Sequence, residues 1–450
     1  MRAVRPTHTK FYNDPQFARS FLRTKRCKDV PGTKPTKFQL KSNDDLWNNV
    51  MLKLPEFGGI LKIENVNLKK KPIPKKQIWR KFEYSLNESK STEDYLVIPQ
   101  PQYSVEVKWG DIENDLQLRH GLKNPKDPNK KYIENIQQQL LEHDKVVNNP
   151  RSSKSNRLLA KGKLLTSILT NTTEYWKNDG KAILLINESG WSLEDEKKND
   201  FNLSQIPQNY GMTAIIRKEF FKEDHENNNF HKGITGAQNF IGSPMMITCM
   251  HKEHGNMKFL THAHKGSATK LWMFVKEKTK GIFAKFCKEK LKKKLDCCVD
   301  VHHFEKEIFW ELTSLLESGD FDVSFTTQRE GDTIVGDRHV FHQVIHLGYT
   351  EATSIDYSPT KKIDWKELED GIKMQQKYEE NHLNGKCIQC PMSEQFGGDK
   401  FCSDLIKYGH LPIIESLVKG NKEIINTNNN NNPINDNNKP DNEEEKNNCN

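Results

Sequence analysis

Seven short runs of apolar and β-branched residues, separated by glycines, constrain this chain more than any other feature. They begin at Lys181, Met212, Met245, Lys270, Thr333, Gln343 and Thr353, and Gly233, Gly242, Gly255, Gly266, Gly331 and Gly348 punctuate them. Runs too short for helices, broken at turn residues, read as strands. Many such strands in succession predict a sandwich or jelly roll. Helical periodicity is expected at 158–170 before this block, at 282–295 and 305–316 within it, and at 365–382 after it. The fold class is therefore α+β with a β-rich core. Two stretches read as unstructured: an Asn-rich tail over 425–450, and an insertion over 120–157 with one short helix near 132–147.

The chain has 450 residues, of which 34% are hydrophobic, low for a fully compact globule, so part of it is expected to lack a core. A formal charge of +8 favours acidic partners such as nucleic acid or chromatin, although a Lys-rich solvated surface accounts for it equally well. No apolar run approaches the roughly 18 residues of a membrane span. The start, MRAVRPTHTKFYNDP, lacks a signal peptide's apolar segment. Cytosol or nucleus is expected, where the nine cysteines stay reduced and serve as metal ligands or buried apolar groups. The basic cluster Lys69-Lys-Lys-Pro-Ile-Pro-Lys-Lys76 fits a nuclear-import signal, a pattern that chance also produces in a Lys-rich chain.

Residues 250–270 read MHKEHGNMKFLTHAHKGSATK and hold four histidines, His251, His254, His262 and His264. Side chains at i and i+2 of a strand share a face, so His251 and Glu253 can offer an imidazole and a carboxylate to one ion. His342, at the start of a later strand, can complete the two-His, one-carboxylate triad of non-haem Fe(II) oxygenases. A histidine hydrogen-bonded in the core is the structural alternative for His342. Lys270 lies on an otherwise apolar strand, where a buried ammonium needs an anion. A dicarboxylate would serve, unless the side chain snorkels to water.

The order His251-x-Glu253, Lys270, His342 resembles the JmjC domain of the Jumonji family, whose members are Fe(II)- and 2-oxoglutarate-dependent oxygenases on a double-stranded β-helix (jelly-roll, cupin-like). The hairpin from Phe259 to Lys270, with Gly266 at its turn and Trp272 beyond, fits that pattern, as does Gly331-Asp332 followed by His342, His346, Gly348, Ala352 and Ser354. Arg5-Pro6-Thr7, Phe11 and Asp14-Pro-Gln-Phe17 resemble the JmjN motif, with Gly59–Ile63 as its closing strand. The segment from Asp94 to Pro101 is similar to the linker of the JmjN-plus-JmjC histone lysine demethylases.

The resemblance implies Fe(II) on His251, Glu253 and His342, with Lys270 and Tyr210 binding the distal carboxylate of 2-oxoglutarate and Thr261 and Ser354 lining its pocket. It implies O2-dependent hydroxylation of an N-methyl group and release of formaldehyde, on a histone tail or another chromatin protein, in the nucleus. The alternatives are hydroxylation of an unmethylated protein side chain, or a chromatin adaptor without turnover. Zinc is implied on Cys297, His303, Cys387 and Cys390, with Cys298 and His302 as competing ligands. Thr248 and Met250 stand where the family carries aromatics, and His346 where Asn is common. The expected division is a JmjN-like segment at 1–66, a linker and inserted region at 67–200 and the JmjC core at 201–360. A zinc-binding helical region at 361–424 and the tail at 425–450 follow.

Overall fold

The computed structural model describes residues 27–29, 32–33, 54, 59–64, 72–101, 103–187, 238–253, 258–277, 282–291, 306–317, 321–337 and 340–357. All of them lie within the first of two compact units, Met1–Gly398. The JmjN-like residues before 27, the expected strand at Met212, the expected helix at 365–382 and the tail lie outside the described residues.

Alternation in the strands builds two facing sheets. The first has the order β1-β13-β11-β15-β9: β1 (Cys27–Asp29), β9 (Ile247–His251), β11 (Lys270–Glu277), β13 (Phe321–Gln328) and β15 (Phe341–His346). The second runs β2-β3-β14-β10-β16-β8-β7-β4-β6. Its strands are β2 (Gly32–Thr33), β3 (Ile60–Ile63), β4 (Ile78–Ser85), β6 (Val105–Lys108), β7 (Lys181–Asn187), β8 (Gln238–Gly242), β10 (Lys258–Ala263), β14 (Thr333–Gly336) and β16 (Thr350–Tyr357). Apart from the parallel pairs β1–β13 and β2–β3, the pairings within these sheets are antiparallel.

On β11, Trp272 and Phe274 point into the interlayer with Phe259 of β10, Ile334 of β14 and Val344 of β15. Leu271, Met273 and Val275 point the other way, into the larger core. Each such burial contributes roughly 1.5–3 kcal/mol, so a slip of one residue would turn both sets the wrong way.

The larger core is closed by helices. Of the six helices among the described residues, α1 (Trp109–Ile112) and α2 (Leu116–His120) cover the far end of the long sheet, where Trp109, Ile112 and Leu118 meet Trp79, Ile183 and Leu185. Next come α3 (Lys130–Asn148), α4 (Lys154–Lys177), α5 (Ile282–Leu291) and α6 (Leu312–Glu317). The α4 helix starts on Ser153, whose hydroxyl accepts from Asn156 N.

Two expectations are corrected here. The stretch 120–157 is ordered rather than unstructured: the helix expected near 132–147 is present as α3, which buries Ile133 and Ile136, and Asp127 accepts from Lys123 N and Asn129 N in the turn before it. The span 305–316 is not one helix. Ile308–Trp310 forms strand β12, which pairs with β5 (Tyr95–Val97), and only then does α6 begin. Gln343 of β15 secures β12, accepting from Trp310 N and donating to Trp310 O.

Candidate metal centre

His251 is the last residue of β9, and β15 lays His342 opposite it in register. Glu253 follows two residues later and brings its carboxylate to both rings. Its Oε1 stands 3.5 Å from His251 Nε2 and 3.2 Å from His342 Nε2. The three ligand atoms lie within 4.8 Å of one another, and all three residues are buried. Among the described residues no other group of His, Cys, Asp and Glu converges in this way.

Hydrogen bonds orient the rings. His251 Nδ1 donates to Cys249 O at 2.8 Å, and His342 Nδ1 donates to Val340 O at 3.2 Å. A carbonyl only accepts, so in the neutral rings the proton sits on Nδ1 and each Nε2 carries a lone pair. Burial, then Lys306 and the His342 ring, push His251 down to about 3, so it is uncharged at neutral pH. Burial alone would raise the Glu253 carboxyl, but Lys306, His251 and His342 more than offset it and hold it well below the usual range. The Nε2 atoms of His251 and His342 and Oε1 of Glu253 therefore converge in one buried site, where all three can serve as ligand atoms to a cation. The donor set, two nitrogens and one oxygen on one side of the site, fits a divalent iron that keeps open positions.

Aromatic rings hold His342 in place. Phe259 stacks on it at 4.3 Å between centroids, and Trp272, at 5.6 Å, stacks on Phe259 and Phe274 in turn. Phe259 has no room to retreat, because a Cβ added at Gly336 would fall 2.0 Å from its Cε1. Gly336→Ala is expected to cost about 1–3 kcal/mol in urea unfolding and to weaken metal uptake by tilting His342.

Lys270 opens β11, opposite His346 on β15 and Gln328 on β13. Along β15 it stands four residues from His342, about 13 Å at strand rise. It is buried, and among the described residues no carboxylate lies within ion-pair distance of it. Burial pushes its ammonium down to about 7. Burial and then the nearby Lys270 also push His346 well below the ordinary histidine value, and His346 Nδ1 shares a 2.5 Å hydrogen bond with Thr350 Oγ1. Thr261 and Ser354 meet across β10 and β16, hydroxyl to hydroxyl at 2.9 Å. Fully buried Gln328 ties the layers together: it accepts from Trp272 Nε1 and donates to Thr261 O.

Of the other histidines in the 250–270 stretch, His262 and His264 do not join the centre. His262 bonds Thr333 Oγ1 and His264, just past the end of β10, bonds Thr353 Oγ1, and burial pushes His262 down to about 3. His254 lies outside the described residues, as do Tyr210, Cys297, Cys298, His302, His303, Cys387 and Cys390. Met250 is buried in the main core, and Thr248 lies opposite Val344. Sequence reasoning missed Lys306, whose Nζ stands 3.9 Å from Glu253 Oε2, and the two glutamines. For Gln328 and Gln343 a signal existed: an amide on an otherwise apolar strand needs fixed partners. For Lys306 there was none.

Residues 238–357 match the family model described as JmjC domain, hydroxylase. That span runs from β8 to β16 and contains the candidate ligands His251, Glu253 and His342 together with Lys270, Thr261 and Ser354. JmjC domains bind Fe(II) and 2-oxoglutarate, and the match supports the Jumonji family and an oxygenase-type protein with a jelly-roll core. No curated protein matches the chain.

Proposed function

We propose that this protein is an Fe(II)- and 2-oxoglutarate-dependent dioxygenase that removes methyl groups from lysine side chains of histones or other chromatin proteins in the nucleus. The observation that carries the oxygenase part is the convergence of His251, Glu253 and His342 with their acceptor atoms inward. The substrate rests on the resemblance to the JmjN-plus-JmjC demethylases.

Bound iron, with the 2-oxo acid and O2, supplies the oxidation that turns an N-methyl C–H into C–OH; the hemiaminal then releases formaldehyde. The chain's own residues bind and orient. His251 and His342 are fixed by Cys249 O and Val340 O, so the ion meets preset nitrogens. Lys270 meets the distal carboxylate, and the hydroxyls of Thr261 and Ser354 face the same interlayer. Phe259, Trp272 and Phe274 exclude water from the His342 side.

The test is a screen of methylated histone peptides with iron, 2-oxoglutarate and O2. Formaldehyde is expected from wild type and only metal-free background from His251→Ala. A peptide that gains one oxygen without formaldehyde would replace demethylation with side-chain hydroxylation. No 2-oxoglutarate turnover above the metal-free control would leave a non-catalytic chromatin adaptor, a reading to which His346 in place of the common Asn lends weight.

A further inference from the structure

Glu253 has two oxygens, and they face different surroundings. Oε1 faces the two imidazoles; Oε2 faces the ammonium of Lys306 at 3.9 Å. Lys306 is not on a strand. It sits just before β12 with φ at +52°, a left-handed backbone that a lysine adopts only when its surroundings impose it. Two hydrogen bonds from the segment after β5 hold the backbone at this turn. Gln100 Nε2 donates to Lys306 O at 3.1 Å, and Ile98 N donates to Glu307 O at 2.8 Å. Gln100 is itself held, its Oε1 accepting from the hydroxyl of buried Tyr84 at 3.0 Å. A chain of contacts thus runs from β4 through Gln100 and the strained turn to the outer oxygen of the metal carboxylate.

We propose that Lys306, clamped by Gln100, is a positioning residue that engages Glu253 Oε2 and makes the carboxylate present one oxygen to the metal. This rests on the metal-centre reading above. A carboxylate with both oxygens free can close on an ion through both, which would use a coordination position that co-substrate needs. The charge count points the same way. A divalent ion, the Glu253 carboxylate and the Lys306 ammonium leave the centre net positive, which favours the carboxylate that the 2-oxo acid brings to it, while Lys270 meets the distal one.

Cobalt(II) tests this without turnover, because its visible bands report coordination number. Wild type, Lys306→Arg, Lys306→Met and Gln100→Ala would be loaded with Co(II), checked for fold by circular dichroism, and titrated with 2-oxoglutarate. Lys306→Met is expected to change the band intensity and to weaken 2-oxoglutarate binding about tenfold, the size of one partly screened charge interaction. Lys306→Arg should stay near wild type in both readouts, and Gln100→Ala should fall between. Folded Lys306→Met with unchanged bands and unchanged affinity overturns the positioning role alone. Failure of folded wild type to take up cobalt overturns the metal centre and this role together.

Discussion

Exchanging Glu253 for glutamine will abolish tight divalent-metal binding and leave the sandwich folded. The change keeps the side chain's shape and removes its charge, and it acts where one oxygen serves two imidazoles at 3.2 and 3.5 Å. Loss of a direct ligand should exceed the roughly 10–100-fold in affinity that follows loss of an outer partner. The readout need not be activity. Manganese at a hundred times its dissociation constant should stabilise wild type by about 2.7 kcal/mol, and thermal unfolding should show that gain. At the same manganese concentration Glu253→Gln should show no shift. Without metal the variant should be less stable than wild type at neutral pH, because the folded protein holds the Glu253 carboxyl ionised through Lys306, His251 and His342 and the amide forfeits that stabilisation. A metal-dependent shift retained in Glu253→Gln would remove this residue from the centre.

What the sequence disclosed was what local alternation controls. On β11, the pattern Lys-Leu-Trp-Met-Phe-Val sorts into an interlayer face and a core face, and the structure sorts it so. His251 and Glu253, two residues apart, were readable as one ligand pair; His342 needed the prior idea of a returning strand, and the register supplies it. What escaped depends on partners far away. Ile308–Trp310 reads as helical locally and becomes a strand because Tyr95–Val97 offers an edge and Gln343 reaches its backbone. The α3 helix was legible near 132–147, but its place in the ordered fold was not, because Ile133 and Ile136 are its only buried residues. Lys306 reaches Glu253 from a left-handed turn whose carbonyl accepts from Gln100, 206 residues away, and no spacing encodes such a contact.

Lys270→Met will have the second large effect, and it runs in opposite directions for binding and for stability. Met keeps the length and loses the charge. Its neighbours across the sheet are Gln328 and His346, neither of which supplies a negative charge. Among the described residues no carboxylate meets Lys270, so if it anchors the co-substrate as proposed, the variant should bind 2-oxoglutarate at least about a hundredfold more weakly, the penalty of leaving one buried charge unpaired. Stability follows from the depressed ammonium. With a folded value of about 7 and an unfolded one near 10.4, the unfolded chain holds more protons between those limits. Wild-type stability should then rise with pH across that window, and the cost of burying the charge should be present in full below pH 7. Urea unfolding at pH 7 and at pH 10 checks this: Lys270→Met should be more stable than wild type at pH 7 by on the order of a few kcal/mol, with the difference largely gone at pH 10. The same sign governs affinity. Above pH 7 the empty protein must take up a proton to receive the dianion, so wild-type binding should weaken by up to about tenfold per pH unit. Calorimetry in buffers of different ionisation enthalpy would detect the uptake, and binding without a proton, equally tight at pH 7 and pH 9, would show that Lys270 is not the anion's anchor.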